Sequence, residues 1–260
     1  DLRRAGDLRA FGRARRVPKR AYTLEDLALH RIQPEKLLSP RDKSLGLAAR
    51  LVQAAGAAAF LGGASLLHLD GNGLVGWLLL FTAPLVADQV RYGGGLASLA
   101  VDTLGRAING EYVQRVALHE AGHFLVAYLM GILPSGYTLS SLDAFRKYGD
   151  PAVQAGCTFC DSRFRAEVAS GKLKASTLEA FSCVALAGVA TEFLRFGEAE
   201  GGMADIQQLD AMLFGLGFTQ KKAAFEVRWA AINTVLLLRQ HAGVHERLAG
   251  ALGGGPGFAK

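Results

Sequence analysis

Two long apolar runs, separated by a glycine-rich turn, constrain the fold of this chain more than any other feature. The first run, Leu51 to Leu69, has no formal charge, and the second covers residues 74–87. A helix of about 20 apolar residues is long enough to cross the hydrocarbon core of a bilayer. The sequence GNG at 71–73 breaks the chain between the runs, and Pro84 kinks the second one. The pattern predicts a two-helix transmembrane hairpin, with a buried helical pair in a soluble core as the alternative.

Positive charge lies on both sides of this predicted hairpin, whereas the turn between its helices carries only Asp70. The flanking basic residues are Arg41, Lys43 and Arg50 before it, and Arg91 and Arg106 after it. Basic residues next to membrane helices favour the cytoplasmic side. We therefore expect both termini on one side, cytoplasmic or stromal in type.

The net charge of +6 comes entirely from residues 1–43, which hold 12 Lys and Arg against 6 Asp and Glu. Pro18, Pro34 and Pro40 interrupt this stretch, so we expect an extended arm with one short helix capped by Thr23. A basic arm can bind anionic lipid, an acidic partner or nucleic acid. Because a membrane segment follows directly, lipid or a protein partner is favoured over nucleic acid.

The patterning divides the chain into four parts. A basic N-terminal arm covers 1–43, and a membrane hairpin with its connecting segment covers 44–108. A globular domain covers 109–250, and a glycine-rich tail that we expect to be flexible covers 251–260. Most of the globular part shows helical periodicity and one stretch is turn-rich with short β-type pieces, so the fold class is mainly α with a small β element.

Two histidines and a glutamate lie in the apolar stretch VALHEAGHFLVAYLMG, residues 116–131. Burying ionisable groups in an apolar helix costs free energy unless something compensates. His119 and His123 are four residues apart, so on a helix they share one face and can both bind one Zn²⁺. Glu120 follows the first histidine, where it can act as a general base without binding the metal. The spacing is the HExxH pattern, and it predicts a zinc site.

Two histidines leave such a site incomplete, because catalytic zinc usually has three protein ligands and a water. The candidates for the third ligand are Glu192, Asp205 and Asp210. Asp205 lies in the first turn of a predicted helix, where interaction with the helix dipole would also explain an acidic residue. The residues alone leave this choice open.

The order of HEAGH, ALAGVATEFLRFG, a glycine-rich loop and ADIQQL resembles the peptidase domain of FtsH-like membrane-anchored zinc metalloproteases. The resemblance covers about residues 111–250, and a two-span anchor is similar to that family as well. It implies that His119, His123 and Asp205 bind zinc and that Glu120 is catalytic. Glu192 matches a carboxylate of the family, whereas Val189 stands where the family has arginine.

The family carries an ATPase module between membrane and peptidase, but no GxxxxGK[ST] occurs in this chain. The chain thus resembles the ATPase-less plastid relatives, which implies a chloroplast membrane, thylakoid or inner envelope, with the peptidase on the stromal side. The implied function is ATP-independent hydrolysis of peptide bonds in membrane-adjacent or unfolded proteins, within a larger membrane complex or oligomer. The alternatives are a non-proteolytic scaffold or assembly subunit that retains the fold, and a soluble metalloprotease.

The three cysteines are too few for a disulfide scaffold, which indicates a reducing compartment. Cys157 and Cys160 form a CxxC in a stretch that reads as a strand, where positions three apart face opposite sides and cannot chelate one ion. The stretch resembles the edge strand that holds peptide substrates in the FtsH-like family, which favours a substrate-binding strand there over a redox or metal motif. His241 and His245 also show HxxxH spacing, but charged neighbours predict a solvated helix face.

Overall fold

The computed structural model describes residues 9–160, 162–170 and 172–254. Residues 1–8 of the predicted arm and 255–260 of the predicted tail lie outside the described residues. In chain order the helices are α1 (Leu24–Leu29), α2 (Pro34–Leu37), α3 (Gly46–Leu66), α4 (Gly71–Tyr92), α5 (Gly95–Ile108), α6 (Gly110–Met130), α7 (Ser141–Tyr148), α8 (Ser162–Ala169), α9 (Ala175–Ala185), α10 (Ala187–Phe196), α11 (Met203–Gly215), α12 (Gln220–Gln240) and α13 (Ala242–Gly253). Strands β1 (Leu133–Thr138) and β2 (Gly156–Cys160) form a two-stranded sheet. The predicted mainly α class with a small β element is confirmed.

The chain forms two compact units, and both are discontinuous in sequence. The first unit combines the residues up to Arg41 with Gln114–Tyr137 and the residues from Cys157 onward. The second unit combines Asp42–Val113 with Thr138–Gly156. The histidine pair of α6 and all three candidate third ligands therefore belong to the first unit.

Helix α12 runs through the core of the first unit and contacts α9 and α10. Trp229, Ile232 and Val235 on α12 are almost fully buried, as are Leu186 and Val189 at the start of α10. Burial of each such side chain contributes about 1.5–3 kcal/mol. The result is a rigid apolar support for the helices that carry the polar residues of the site.

The described part of the N-terminal segment differs from the expected extended arm, because it packs into this core. Tyr22, Leu27, Ile32 and Leu37 are all buried in it. Their spacing of five matches neither a helical nor a strand period, and the basic residues between them conceal the pattern. Thr23 caps α1 as predicted, through a reciprocal capping box with Asp26.

Two long helices expected from the sequence are each divided in the structure. Leu186 separates α9 from α10, and His241 separates α12 from α13. The predicted helix ends at Gly131 and Gly197 are confirmed, and both glycines have positive φ. Helix α10 lies against α6, because Gly188 approaches His119 and Thr191 approaches Gly122.

In the second unit, α3 and α4 form a helical hairpin. Helix α4 contains the whole second predicted run, whereas α3 covers the first only as far as Leu66, and the GNG sequence forms the first turn of α4 instead of the predicted break. Asp70 caps α4 by accepting a hydrogen bond from the Gly73 amide at 2.8 Å. The Trp77 indole packs against Gly63 and donates to the Phe60 carbonyl at 2.9 Å. The remaining apolar side chains of both helices are largely exposed.

Three helical segments are long and apolar enough to cross a membrane: Gly46–Leu66, Gly71–Tyr92 and Ala175–Phe196. The first two are only 6% buried over their most apolar windows, whereas the third, α9 with α10, is 78% buried within the protein. Buried apolar helices are ordinary core elements, but long exposed ones need an apolar environment. This difference separates the hairpin from the helices of the core.

Candidate metal centre

Helix α6 places His119 and His123 one turn apart on a buried face. Their ring centroids are 4.9 Å apart, and the two residues are 7% and 6% exposed. The i, i+4 spacing stacks the two side chains, because 3.6 residues complete a turn. The alanine and valine residues around them let α6 pass through the interior of the first unit. The HEAGH pattern therefore presents both imidazoles on one wall of the site.

Asp205, in the first turn of α11, faces both imidazoles. Its Oδ2 lies 3.3 Å from Nε2 of His119 and 3.4 Å from Nε2 of His123. The three potential ligand atoms all lie within 4.8 Å of one another, so the group could hold a metal ion. The Asp205 side chain is 30% exposed, which leaves the group open on one side. Two imidazole nitrogens and a carboxylate oxygen form a donor set typical of zinc.

The outer nitrogen of each imidazole is fixed by a hydrogen bond. Nδ1 of His119 lies 2.7 Å from the Glu192 carboxylate, and Nδ1 of His123 lies 2.8 Å from the Val184 carbonyl. Both contacts leave Nε2 facing Asp205. Such outer hydrogen bonds orient the ring of a metal-binding histidine and raise its basicity. Glu192, one of the three candidate ligands, thus supports a histidine and is not in the group itself.

The Glu192 carboxylate is the centre of a buried polar cluster. Besides His119, it accepts hydrogen bonds from Arg115 at 3.2 Å and from the Glu200 and Gly201 amides at 2.8 and 3.2 Å. Arg115 also pairs with the Glu200 carboxylate at 3.2 Å. Because Arg115 lies one turn before His119 on α6, the cluster ties that helix to the loop that leads into α11.

The electrostatics of the three facing side chains favour positive charge between them. Burial lowers the pKa of His119, but hydrogen bonds to Asp205 and Glu192 outweigh burial and hold it well above its usual value. For His123, burial is likewise outweighed by the charge of Asp205, so its pKa is raised. Burial would raise the pKa of Asp205, but the charge of His123 and the hydrogen bond of His119 hold it far below its usual range. A divalent cation would compete with protons for this place.

Two glycines allow the close approach of neighbouring elements to His119. A side chain at Gly188, on α10, would overlap the imidazole ring, and one at Gly202 would overlap Val189 and approach the ring at 3.0 Å. Gly202 also has φ of +84°, a conformation that favours glycine. Sequence reasoning did not single out these glycines or Arg115, although a charged residue in an apolar helix was a signal for the latter.

Glu120 is buried beside the histidines, and its Oε2 has no hydrogen-bond partner among the described residues. An unpartnered buried carboxylate oxygen is costly, which points to a ligand or reacting group that it meets in use. The backbone carbonyl of the same residue accepts a hydrogen bond from the Cys157 thiol at 3.4 Å. Strand β2 is therefore anchored to α6 at the predicted catalytic residue.

The remaining candidate residues lie elsewhere. Asp210 is exposed on α11 and outside the group formed by the two histidines and Asp205. Cys157 is half-buried and Cys160 is exposed, within the strand that was predicted for them. The solvated face predicted for His245 is wrong: this residue is buried, and its Nε2 contacts the Leu118 carbonyl at 2.9 Å. Burial lowers the pKa of His245.

Comparisons with protein-family models, with curated proteins and with solved structures found no match for this chain. The chemistry of the site therefore rests on its own geometry.

Proposed function

We propose that this chain is a membrane-anchored, ATP-independent zinc metallopeptidase that hydrolyses peptide bonds of membrane-adjacent or unfolded proteins. One observation carries the proposal: His119, His123 and Asp205 converge from two helices, and beside them lies the buried Glu120 carboxylate, whose Oε2 has no hydrogen-bond partner among the described residues. A scaffold protein would gain nothing from that carboxylate, whereas a hydrolase needs a base next to its metal.

Each residue has a distinct role in the proposed mechanism. His119, His123 and Asp205 would hold Zn²⁺, which supplies Lewis-acid chemistry that activates water at neutral pH. Glu120 accepts a proton from the attacking water and returns it to the leaving amine. Glu192 and the Val184 carbonyl keep both imidazoles oriented through their Nδ1 atoms.

The membrane anchor is supported by the discontinuous first unit. That unit contains residues before α3 and residues after α5. If the chain between them enters a membrane, it must therefore return to the side of the membrane from which it entered. Two crossings, α3 and α4, satisfy this requirement and explain their exposed apolar surfaces. The resemblance to ATPase-less plastid relatives supports a chloroplast membrane, thylakoid or inner envelope, with the first unit on the stromal side.

The test is zinc content together with cleavage of casein by the full chain in detergent. We expect about one zinc per chain, activity in the wild type, and loss of at least about 100-fold in activity with zinc retained in Glu120→Gln. Glu35→Gln, an exposed glutamate of α2, is the matched control and should keep both properties. A wild type that binds zinc, cleaves nothing and co-purifies with a larger complex would instead support the scaffold alternative. Absence of zinc would contradict both the metal site and the reaction.

A further inference from the structure

Helix α5, which follows the hairpin, carries its charges inward and its apolar side chains outward. Its exposed face consists of Leu96, Ala97, Ala100, Thr103, Ala107 and Ile108. Leu96 is 46% exposed and Ile108 is 47% exposed. The one hydroxyl on this face, that of Thr103, donates to the Leu99 carbonyl at 2.7 Å within the helix. No charged residue lies on the exposed face.

The packed face of the same helix holds both of its ionisable residues. Asp102 is 4% exposed and accepts hydrogen bonds from the Tyr112 hydroxyl at 2.7 Å, the Ser141 amide at 2.8 Å and Arg106 at 3.2 Å. Gly105, also on this face, approaches the Leu45 side chain closely. A helix at a water-exposed surface shows the reverse arrangement, with charges outside and apolar residues inside.

The hairpin determines where this apolar face lies. Only Gly93 and Gly94 separate α4 from α5, and the Asp88 carboxylate caps α5 by accepting from the Leu96 and Ala97 amides, both at 3.0 Å. Helix α5 contacts both α3 and α4. Helix α5 is thus held next to the end of the hairpin opposite its turn, beside the Asp88 end of α4 and the Leu45 end of α3.

We propose that α5 is a third membrane-contacting element, a monotopic helix whose exposed face lies in lipid at the bilayer interface. Its 14 residues span about 21 Å at 1.5 Å each, too short for a hydrocarbon core of about 30 Å. If α5 crossed the bilayer as well, the chain would cross three times. Residues up to Arg41 and residues from Gln114 onward, which belong to the same unit, would then lie on opposite sides of the membrane. A helix in contact with lipid needs an apolar face toward the lipid and protein partners for its charged residues. Helix α5 has both, because its exposed face is uncharged and Asp102 is hydrogen-bonded within the protein.

This inference rests on the membrane anchor of the proposed function and is independent of the metal site. Its test is the accessibility of single nitroxide labels in the full chain, in nanodiscs of phosphatidylcholine and phosphatidylglycerol. The background carries Cys157→Ser and Cys160→Ser and keeps the fully buried Cys183. Labels at Ala100→Cys and Ala107→Cys report on α5.

Two further labels serve as references. One is Leu79→Cys on the exposed surface of α4, and the other is Glu35→Cys on α2. We expect the α5 labels to collide with oxygen at least about threefold more than with a water-soluble nickel complex, as at Leu79, and the ratio to be reversed at Glu35. The oxygen excess should be smaller at Ala100 than at Leu79, because an interfacial helix lies less deep.

Other outcomes overturn the inference in distinguishable ways. If Ala100 and Ala107 behave like Glu35 while Leu79 reports lipid, α5 faces water and only the inference fails. If both collision rates at α5 are low and the spectra show spin–spin broadening, a second copy of the chain covers this face. Low rates without broadening indicate another protein contact. If Leu79 itself reports water, the membrane anchor fails, and the inference fails with it.

Discussion

Replacing Glu192 by Gln tests whether the outer hydrogen bond of His119 supports metal binding. The glutamine is nearly the same size but carries no charge. In the wild type, every hydrogen bond that the Glu192 carboxylate makes with the described residues is accepted from an N–H group, of His119, Arg115 or two loop amides. The side-chain NH₂ group of glutamine would therefore face at least one of these donors. We therefore expect the His119 ring to lose both its fixed orientation and part of its basicity.

The expected magnitude follows from these contacts. Loss of an outer partner of a metal-binding histidine lowers metal affinity by about 10–100-fold, which corresponds to about 1.4–2.8 kcal/mol. The Arg115 charge stays buried but keeps the Glu200 carboxylate. For this reason we expect a loss of about 2–3 kcal/mol in stability, which is less than the usual cost of about 3–5 kcal/mol for removing one partner of a buried ion pair.

The assay is competition for Zn²⁺ between the protein and a chromogenic chelator, with thermal unfolding measured on the same samples. Glu200→Gln is the matched control, because it removes the other carboxylate that pairs with Arg115 and keeps the Glu192 carboxylate on His119. That variant should lose stability but keep zinc affinity within about threefold. Wild-type affinity in Glu192→Gln, or an equal loss of affinity in both variants, would refute the proposed role of the outer hydrogen bond.

Two further predictions concern the surroundings of the site. Gly188→Ala should lower zinc affinity at least about tenfold in the same competition assay, because its methyl group displaces the His119 ring, whereas Gly215→Ala, with open space around it, should not. For His245, burial lowers the pKa, so the unfolded chain binds the proton more readily and stability is lost as pH falls through the unfolded value near 6.5. The melting temperature should therefore fall more between pH 7.5 and 5.5 in the wild type than in His245→Gln, and equal falls would contradict this assignment.

The polar residues of α6 and the element types were accessible from sequence because they depend on local spacing. The i, i+4 histidines define a face whatever the tertiary structure, and Gly131 and Gly197 end helices through their own backbone freedom. By contrast, Glu192 contacts His119 across 73 positions of sequence, and His245 reaches the Leu118 carbonyl across 127. Such contacts depend on how helices cross, which no local pattern encodes.

The N-terminal segment was misread for a related physical reason. Its prolines and basic residues suggested an extended arm, yet Leu27, Ile32 and Leu37 are all in the core. Arg16 and Lys19 form salt bridges with acidic residues of α9 and α12, so part of the positive charge is neutralised within the unit. A count of net charge along the chain cannot reveal which charges are already paired.

The discontinuity of the first unit also determines the order in which this protein can assemble on the ribosome. Asn233, on α12, accepts a hydrogen bond from the Val17 amide across 216 positions of sequence. At about 5–20 residues per second, synthesis leaves the N-terminal segment without that partner for about 10–40 s. During this interval the hairpin helices have already emerged, and Tyr22, Leu27, Ile32 and Leu37 have no core to enter. Closure of the first unit should therefore follow the synthesis of α12, and a chain that ends before α12 should leave these four side chains without their core.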